Sequence, residues 1–485
     1  MSSLEEIRDI RLQKRAALAS AYPATLSGKR TKIADAKTSF AERSSKKTTT
    51  LLAGRLRALR SHGGSVFADM EDGTGRMQAY VKKDAIGEDA FRRFNELVDL
   101  GDFIECAGTL FLTKKKEQTL EAHTWRMLAK SIRPLPEKWH GLTDVEERFR
   151  RRYLDLLAST DARKRFVLRT KILGALRAFF DREEFLEVET PMLHPIAGGA
   201  LAEPFLTHHN ALNIDLFLRV APELYLKRLL VGGFERVYEL GKSFRNEGID
   251  AEHNPEFTSA EWYAAYWDEE DMMACVERCV AFLFKTLGTA PVLELESGPI
   301  TIPQQFKRMT FTDLLKRYAR ISDYAAQTRD SLALCAAQFG ISVASGAGKG
   351  KIADEIYKKI CRPRLVEPVF VVGHPTEISP LAKADAGDPR TARRFQLVIG
   401  AMEVVNGFAE LNDPEEQRER FREQTQLRRA GDTESHEPDE AFVEALEYGM
   451  PPAAGAGLGV DRLVMLLAGS RNIREVILFP TMRQK

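Results

Sequence analysis

The chain has 485 residues, of which 44% are apolar, so it is long enough for two or more domains and can bury at least one large core. Its 71 Lys and Arg residues balance 70 Asp and Glu residues, which excludes nucleic-acid binding through bulk charge and leaves only local basic patches. Five cysteines without CxxC spacing favour reduced thiols over a disulfide or zinc framework. With no signal-peptide pattern and no apolar run near the ~20 residues that span a bilayer, we expect a cytoplasmic protein without a membrane partner.

Residues 1–45 are polar and predict a charged helical extension. Within them, Leu4–Arg15 carries apolar residues at helical spacing among many charged ones, as in an amphipathic helix. The basic face of this helix is either a solvated surface or an arm that contacts an RNA backbone.

Residues 46–135 change to short apolar stretches separated by turn residues, such as Ser65–Met70 and Arg76–Val81. Several short strands with tight turns predict a small all-β barrel, and an OB-fold is the natural candidate. Barrels of this kind bind single-stranded nucleic acid by stacking bases on aromatic side chains beside polar groups. The candidate contact residues are Arg55, Phe67, Gln78 and Glu117.

The proline-bearing segment Arg133–Lys138 predicts a linker, so residues 136–485 should form a larger second domain. Ser159 predicts the N-cap of a long helix with one apolar stripe, followed by a strand over Phe185–Pro191. Strand-like runs occupy 216–220, 236–240, 257–263 and 395–399, with helices predicted near 223–231, 268–286 and 415–429. Strands grouped in meanders predict an α+β fold with an antiparallel sheet, which excludes a Rossmann nucleotide site.

Two distant segments carry arginine in contexts that suit phosphate binding, Phe244–Glu247 and Gly457–Arg462. Because a guanidinium is a rigid, always charged fork of donors, two of them can hold one polyphosphate from opposite sides. Arg245 should close a strand, and the loop after it should return at His253. Phe257 could then stack on a base, while glycines before Arg462 allow close backbone approach.

These segments, together with Phe185–Pro191, resemble the three signature motifs of class II aminoacyl-tRNA synthetases. Within that class the chain resembles the bacterial-type lysyl-tRNA synthetases over almost its whole length. The longest matching stretches are Pro204–Leu212, Ala221–Lys227 and Asn406–Asp413. The resemblance implies an OB-fold anticodon-binding domain and then a class II catalytic domain, with motif 1 near 185–191, motif 2 near 236–263 and motif 3 near 455–470, working as a homodimer.

The resemblance also implies the substrates L-lysine, ATP and tRNA(Lys), with Mg²⁺ as cofactor. It assigns ATP to Arg245, Glu247, His253, Asn254, Phe257, Glu403 and Arg462, with Arg245 and Arg462 catalytic. It assigns lysine to Gly199, Glu223, Glu261, Tyr263, Asn406, Phe408 and Glu410, a metal to Glu403, and the anticodon to Arg55, Phe67, Gln78 and Glu117. The acids agree with elementary electrostatics, since a buried substrate ammonium requires carboxylates.

Four positions depart from the family pattern. Gln396 replaces a metal-binding glutamate, Met402 replaces an arginine that usually follows glycine, and Glu252 and Glu203 each replace an arginine. Because Mg²⁺ prefers carboxylate and phosphate oxygens, a neutral Gln396 should weaken at least one metal position and leaves the number of ions open. Glu252 should repel a γ-phosphate.

Three functions remain open from the sequence. The first is ATP-dependent lysine attachment to tRNA through a lysyl-adenylate, without a protein nucleophile. The second is an aspartyl- or asparaginyl-type class II synthetase, and the third is a synthetase-like tRNA-binding or regulatory protein with weakened catalysis. Amino-acid-dependent pyrophosphate exchange separates these three.

Overall fold

The computed structural model describes residues 3–135, 144–295, 298–344, 346–429 and 438–484, and it divides into two compact units, Met1–Leu142 and Thr143–Lys485. The end of the predicted linker, residues 136–138, lies outside the described residues. Over the ranges just given, no helix is long and apolar enough to cross a membrane.

The N-terminal unit is built on a closed barrel with helices around it. Its helices are α1 (Leu4–Ala16), α2 (Ile33–Thr38), α3 (Phe40–Ser45), α4 (Lys83–Ile86) and α5 (Glu88–Leu97). Its strands are β1 (Thr50–His62), β2 (Ser65–Asp72), β3 (Gly75–Lys82), β4 (Phe103–Leu112) and β5 (Gln118–Ala129). The five strands close in the order β1-β2-β3-β5-β4, which confirms the predicted OB-type barrel.

The N-terminal segment packs against this barrel. Ile33, Ala36 and Phe40 are buried in the same apolar core as the barrel strands. On α1, the buried guanidinium of Arg11 donates to the Ser131 and Arg133 carbonyls at 2.9 and 3.2 Å. Apolar burial and these hydrogen bonds therefore hold residues of the segment against the barrel.

The C-terminal unit is a mixed α and β structure. Its helices are α6 (Val145–Arg150), α7 (Arg152–Ala158), α8 (Thr160–Arg182), α9 (Glu223–Val231), α10 (Glu269–Leu287), α11 (Phe311–Ala319), α12 (Arg329–Gln338), α13 (Lys349–Ile356), α14 (Pro414–Arg429), α15 (Glu440–Glu447) and α16 (Val460–Ala468). Its strands are β6 (Leu186–Glu187), β7 (Leu193–His194), β8 (Phe205–His209), β9 (Ile214–Leu218), β10 (Arg236–Phe244), β11 (Glu256–Ala265), β12 (Val292–Leu295), β13 (Gly298–Thr301), β14 (Lys307–Thr310), β15 (Val369–Val372), β16 (Arg394–Ile399), β17 (Met402–Ala409) and β18 (Ala453–Gly459).

Eight strands form the main sheet in the order β14-β15-β16-β17-β18-β11-β10-β6. All neighbours are antiparallel except the two edge pairs, β14 with β15 and β6 with β10. The predicted α+β fold with an antiparallel sheet is confirmed. The strand predicted over Phe185–Pro191 shrinks to the two residues of β6, although the Val188 amide still donates to the Tyr238 carbonyl at 2.9 Å.

The two faces of this sheet have different roles. On β11, Ala260, Trp262 and Ala264 point into the main core, where α8 contributes the Phe179 and Phe180 rings and α10 the Phe284 ring. The alternate residues of β11 line a cavity on the opposite face, as the period of two in a strand requires. They are Ser259, Glu261 and Tyr263.

The predicted helix start at Ser159 is confirmed, since its hydroxyl accepts from the Ala162 amide at 3.1 Å. Before it, α7 begins with Arg152, whose side chain has no exposed surface. Arg152 pairs with Asp155 at 2.7 Å and donates to the carbonyls of Arg474, Ile477 and Leu478 at 2.6 to 3.3 Å. One guanidinium thus ties the start of this unit to its C-terminal segment.

Replacing Arg152 with Met should lower the unfolding free energy of this unit by about 2–4 kcal/mol, because the Arg474, Ile477 and Leu478 carbonyls lose this donor and Asp155 keeps only Arg148 as an ionic partner. Calorimetry of the full chain would show the C-terminal transition at a lower temperature. Arg151→Met is the matched control, since the adjacent Arg151 side chain is 57% exposed and its loss should cost at most about 0.5 kcal/mol. Equal shifts for the two variants would contradict this account.

Candidate active site

A cavity of about 920 Å³ opens on the solvent face of the main sheet. Its floor consists of residues from β11, β16, β17 and β18, and its walls include residues of α9, α13 and α14. On β18 the residues facing this space are Gly455, Gly457 and Gly459. A Cβ at Gly455 would lie 2.3 Å from Tyr263 Cε1, so this glycine is required for the cavity wall to pack.

Arg245 follows the end of β10, in the hairpin that the sequence predicted. Its amide donates to the Pro255 carbonyl at 2.9 Å, and its guanidinium carbon lies 5.0 Å from the centre of the Phe257 ring. Both side chains line the cavity. A cation held over an aromatic face keeps its planar fork available to an anion.

Arg462 lies in the first turn of α16 and reaches the same cavity from the other side. Its guanidinium donates to the Glu403 carbonyl at 3.0 Å and to His253 Nε2 at 2.9 Å. His253 Nδ1 lies 2.8 Å from Asp250. Because an arginine can only donate, His253 must accept through Nε2 and carry its proton on Nδ1 toward Asp250. The two arginines of the sequence analysis therefore line one space.

Two buried ion pairs hold these segments in place, and the sequence analysis did not single out their residues. Asp461 accepts from the Thr258 amide at 2.7 Å and pairs with Arg169 of α8, which links α16 to β11. Arg219, 1% exposed, pairs with Glu239 of β10 at 2.5 Å. Since each pair joins distant parts of the chain, no local pattern could have revealed it.

Arg219 does more than neutralise Glu239. Its Nε donates to the Lys242 carbonyl at 2.8 Å, and its Nη1 lies 3.2 Å from the Thr190 hydroxyl. That hydroxyl in turn donates to Glu239 at 2.6 Å. The segment around Thr190, the end of β9 and the strand β10 are thereby fixed to one another.

The acidic end of the cavity lies beside Glu223 and Glu261, which both line it. Burial, reinforced by the charge of Glu223, raises the pKa of Glu261 to about 8. Burial likewise raises the pKa of Glu223 and of the phenol of Tyr263. A buried carboxyl cannot be hydrated when it ionises, so its charged form is unfavourable without a partner. A cation that pairs with it is therefore bound favourably.

Glu410 lies next to this wall, since a Cβ at the cavity-lining Gly455 would lie 2.4 Å from its Oε1. Its side chain has no exposed surface, and one of its oxygens lies 2.5 Å from the ammonium of Lys227. The same ammonium lies 2.6 Å from Glu223. Burial raises the pKa of Glu410 well above its usual range, and Lys227 opposes that shift. A residue of the chain thus competes for the acids that were predicted to bind lysine.

The remaining predicted lysine residues line the cavity near these acids. Gly199 has a φ of +92°, and a Cβ there would lie 3.3 Å from the Cβ atoms of Ala221 and Glu223. Asn406 accepts from Arg394 at 2.9 Å through its side-chain oxygen, which leaves its amide group to donate. The Phe408 ring centre lies 5.3 Å from the Lys227 ammonium.

The other predicted nucleotide residues are also placed around the cavity. Glu247 is exposed on the loop after β10. Asn254 is 6% exposed and donates to the Glu256 carbonyl at 2.6 Å, while its own side-chain oxygen has no protein partner. A buried oxygen without a partner on the wall of a cavity can accept from a ligand donor.

Glu403 and Gln396 are the oxygen donors that the sequence analysis linked to a divalent cation. Both line the cavity, and Gln396 is 3% exposed with a side-chain oxygen that has no protein partner. One carboxylate and one amide oxygen fit Mg²⁺ if nucleotide phosphates complete its shell. Within the described ranges, no group of three or more His, Cys, Asp and Glu residues could hold a metal by itself.

The other departures have definite surroundings. Met402 is buried in the main core, and Ala401 before it has a φ of +65°, a conformation that favours glycine. Glu252 lines the cavity, so its charge faces any bound anion. Glu203 is exposed, and its carbonyl accepts from the Asn246 amide at 2.7 Å.

On the N-terminal barrel, the four candidate RNA contacts lie on β1, β2, β3 and the turn before β5. Phe67 packs on Tyr80, with ring centres 4.7 Å apart, and Tyr80 lies 6.0 Å from Phe111. Arg55 instead lies over the Phe103 ring at 4.2 Å. Gln78 is buried with its oxygen 3.2 Å from the Thr119 hydroxyl, and Glu117 is exposed on the turn before β5. The sequence analysis missed Tyr80, although it follows Gln78 at the strand period of two.

Comparison with known proteins agrees with this geometry. A family model described as tRNA synthetases class II (D, K and N) matches residues 144–483, and one described as an OB-fold nucleic acid binding domain matches residues 50–135. The Lysine--tRNA ligase of Aquifex aeolicus is 49% identical over 438 residues, which cover 89% of this chain and 72% of that protein. The Lysine--tRNA ligase of Moorella thermoacetica is 48% identical, with 90% of this chain and 88% of that protein covered. The Lysine--tRNA ligase of Syntrophomonas wolfei is 43% identical, with 100% of this chain and 98% of that protein covered. The chain therefore belongs to the class II tRNA synthetases of the D, K and N group, among the lysine--tRNA ligases.

Proposed function

We propose that the chain attaches L-lysine to tRNA(Lys) in two steps. The lysine carboxylate attacks the α-phosphorus of ATP and pyrophosphate leaves, and the 3′-terminal ribose hydroxyl of the tRNA then takes the lysyl group while AMP leaves. The observation that carries this proposal is that one cavity is lined by Arg245 and Arg462 and also by Glu223 and Glu261. Arg245 and Arg462 suit the polyphosphate, and Glu223 and Glu261 suit an ammonium.

The residues contribute by position and charge. Arg245, supported by Phe257, would hold the α-phosphate, and Arg462, aimed by His253 and the Glu403 carbonyl, would hold the outer phosphates. Mg²⁺, when bound, neutralises phosphate charge, and Glu403 and Gln396 would be its protein ligands. The side-chain amide of Asn406 and the backbone at Gly199, which carries no side chain, would position the amino acid.

The acidic end of the cavity argues against the aspartyl- or asparaginyl-type alternative. An aspartate side chain would face Glu223 and Glu261 with like charge, which costs several kcal/mol at close range. The intact arginines argue against a purely RNA-binding role, since an abandoned nucleotide site has no need of two cations held in one cavity.

We further propose a cytoplasmic homodimer. Exposed apolar side chains concentrate near the first motif and the small sheet that follows it, in a chain region that a partner copy could cover. They are Val167, Leu186, Met192, Leu193, Leu206, Leu212 and Ile214. For tRNA binding, Phe67 and Tyr80 provide a stacking surface on the barrel.

Lysine-dependent ATP–pyrophosphate exchange tests the function directly. We expect exchange with lysine and none with aspartate or asparagine, and a fall of about 10²–10³-fold in kcat for Arg245→Gln or Arg462→Gln, since each removes a charged donor to phosphate. Arg278→Gln, on the exposed surface at a pair with Glu183, is the matched control and should keep full activity. Exchange supported by another amino acid, or by none, would refute the proposal.

The raised pKa of Glu261 makes lysine binding release protons. In the free enzyme its pKa is about 8, so the carboxyl is mostly protonated at pH 7, and a bound ammonium lowers that pKa. Lysine affinity should therefore increase between pH 6.5 and 8, by at most about tenfold per unit.

Calorimetric titration in buffers of different ionisation enthalpy measures this release. Glu261→Gln should abolish it and flatten the pH dependence between pH 6.5 and 8. An unchanged proton count in Glu261→Gln would assign the release to another group.

Gln396→Glu should restore a carboxylate ligand for Mg²⁺. We expect the Mg²⁺ concentration for half-maximal pyrophosphate exchange to fall by about threefold or more, because hard cations prefer charged oxygens. Gln424→Glu, another buried cavity-lining glutamine, controls for added charge alone. Coincident Mg²⁺ curves for the parent and Gln396→Glu would show that this position does not bind metal.

A further inference from the structure

A further arginine, Arg362, lines the cavity next to Glu403. Its Nη1 atom lies 3.9 Å from Glu403 Oε2, which is close enough for attraction but too long for a hydrogen bond. In the described part of the chain, Arg362 has no other ion-pair partner and its guanidinium makes no hydrogen bond. The side chain is 17% exposed, so its charge is held at the cavity while its donors remain available to a ligand.

The segment that carries Arg362 is anchored by apolar burial. Helix α13 continues into a π-helical turn, Tyr357–Cys361, after which the Arg362 amide donates to the Tyr357 carbonyl. Tyr357 and Cys361 are buried in a core of this unit, whereas Lys358 and Arg362 line the cavity. Turns of this kind are rare and are frequent at functional sites. Arg362 is therefore presented to the cavity from a packed element.

Glu403 connects Arg362 to the arginine of the third motif. Its carbonyl accepts from the Arg462 guanidinium at 3.0 Å, and its side chain attracts Arg362. Since both guanidiniums lie beside one residue of β17, they line the same part of the cavity. This is the part in which Arg462 is proposed to hold the outer phosphates of ATP. Two planar forks in one place suit a polyphosphate, which presents many oxygens.

The two arginines of the sequence analysis do not by themselves balance a polyphosphate. The carboxylates of Glu252 and Glu403 line the same cavity and offset the charges of Arg245 and Arg462. Gln396, which also lines it, is neutral. A nucleoside triphosphate brings several negative charges into this space, so a further protein cation would favour its binding.

Two neighbouring cations are engaged more closely than Arg362. The Lys358 ammonium pairs with Asp354 at 2.7 Å. The Arg394 guanidinium donates to the side-chain oxygen of Asn406 at 2.9 Å. A cation that already holds a short hydrogen bond must break or share it to bind a phosphate. Arg362, with its single contact at 3.9 Å, loses no hydrogen bond to the protein when it does so.

We propose that Arg362 is an additional phosphate-binding residue, which holds the outer phosphates of ATP together with Arg462. This inference depends on the proposed function. In the free enzyme, attraction to Glu403 keeps the guanidinium at the cavity, and a phosphate oxygen then accepts the hydrogen bonds that Glu403 does not. The chain itself thereby neutralises part of the triphosphate charge, so ATP binds to it without a divalent cation.

Calorimetric titration of ATP and of AMP into the full chain in EDTA tests this proposal. We expect the ATP Kd of Arg362→Gln to be at least about tenfold higher than that of the parent, because a charged donor to phosphate is lost. The AMP Kd should change by less than about twofold, because AMP lacks the outer phosphates. Arg362→Lys keeps the charge but loses the planar fork, so its ATP Kd should lie between those of the parent and Arg362→Gln.

Arg364→Gln is the matched control, since it removes the same charge two residues farther along. Arg364 lies on the same short helical turn, Arg362–Arg364, but is exposed and is not among the described residues that line the cavity. This variant should keep the parent values of both dissociation constants and the parent rate of pyrophosphate exchange. A general effect of net charge on ATP binding would affect both variants alike.

The outcomes are distinct. A parent that fails to exchange pyrophosphate with lysine contradicts the proposed function itself. With an active parent, the role of Arg362 is overturned if the parent does not bind ATP in EDTA, or if Arg362→Gln keeps the parent ATP Kd. Equal weakening of AMP and ATP binding overturns the assignment to the outer phosphates. If Arg362→Gln and Arg362→Lys both fail to fold while Arg364→Gln folds, Arg362 serves stability, and the inference is also overturned.

Discussion

The buried guanidinium of Arg219 is the interaction on which the nucleotide half of the cavity depends. It fixes β10 through Glu239 and the Lys242 carbonyl, and Arg245 lies only three residues farther along. The strand has a glycine at Gly241, where a Cβ would lie 2.5 Å from the guanidinium. A buried pair of this kind contributes little net stability, since desolvation offsets attraction, but it permits only one register. Arg219 thus helps to position Arg245, the arginine proposed to bind phosphate.

The sheet register then sets the distance between the two halves of the proposed chemistry. Glu261, Gly457, Asn406 and Gln396 lie side by side on β11, β18, β17 and β16. Because neighbouring strands are ~4.8 Å apart, Glu261 and Gln396 are separated by about 14 Å along this row. The backbone hydrogen bonds of the sheet therefore fix the distance between Glu261, at the acidic end proposed for an ammonium, and Gln396, the oxygen donor proposed near the phosphates. Gly457 lies between them and leaves room for the ligand.

Most of what the sequence predicted rests on local patterns, and most of what it missed rests on contacts across the chain. The alternation of Glu261 with Trp262 and the hairpin at Arg245 are readable because strands have a period of two and turns have characteristic residues. The pairs of Arg169 with Asp461 and of Arg219 with Glu239 are not, since no spacing encodes them. Lys227 is intermediate: its i,i+4 relation to Glu223 was visible, but the approach of Glu410 from a loop 183 residues away was not.

The loss of hydration at the pocket carboxyls disfavours folding and favours the binding of a cation for the same reason. Desolvation raises the pKa values of Glu223, Glu261 and Glu410. In the free enzyme these carboxyls are therefore either protonated or carry a desolvated charge, and an entering ammonium stabilises their charged form. Ligand binding then stabilises the folded chain by mass action. This logic discriminates strongly against neutral side chains, whose binding leaves the acids unpaired, and only weakly against a cation shorter by one methylene.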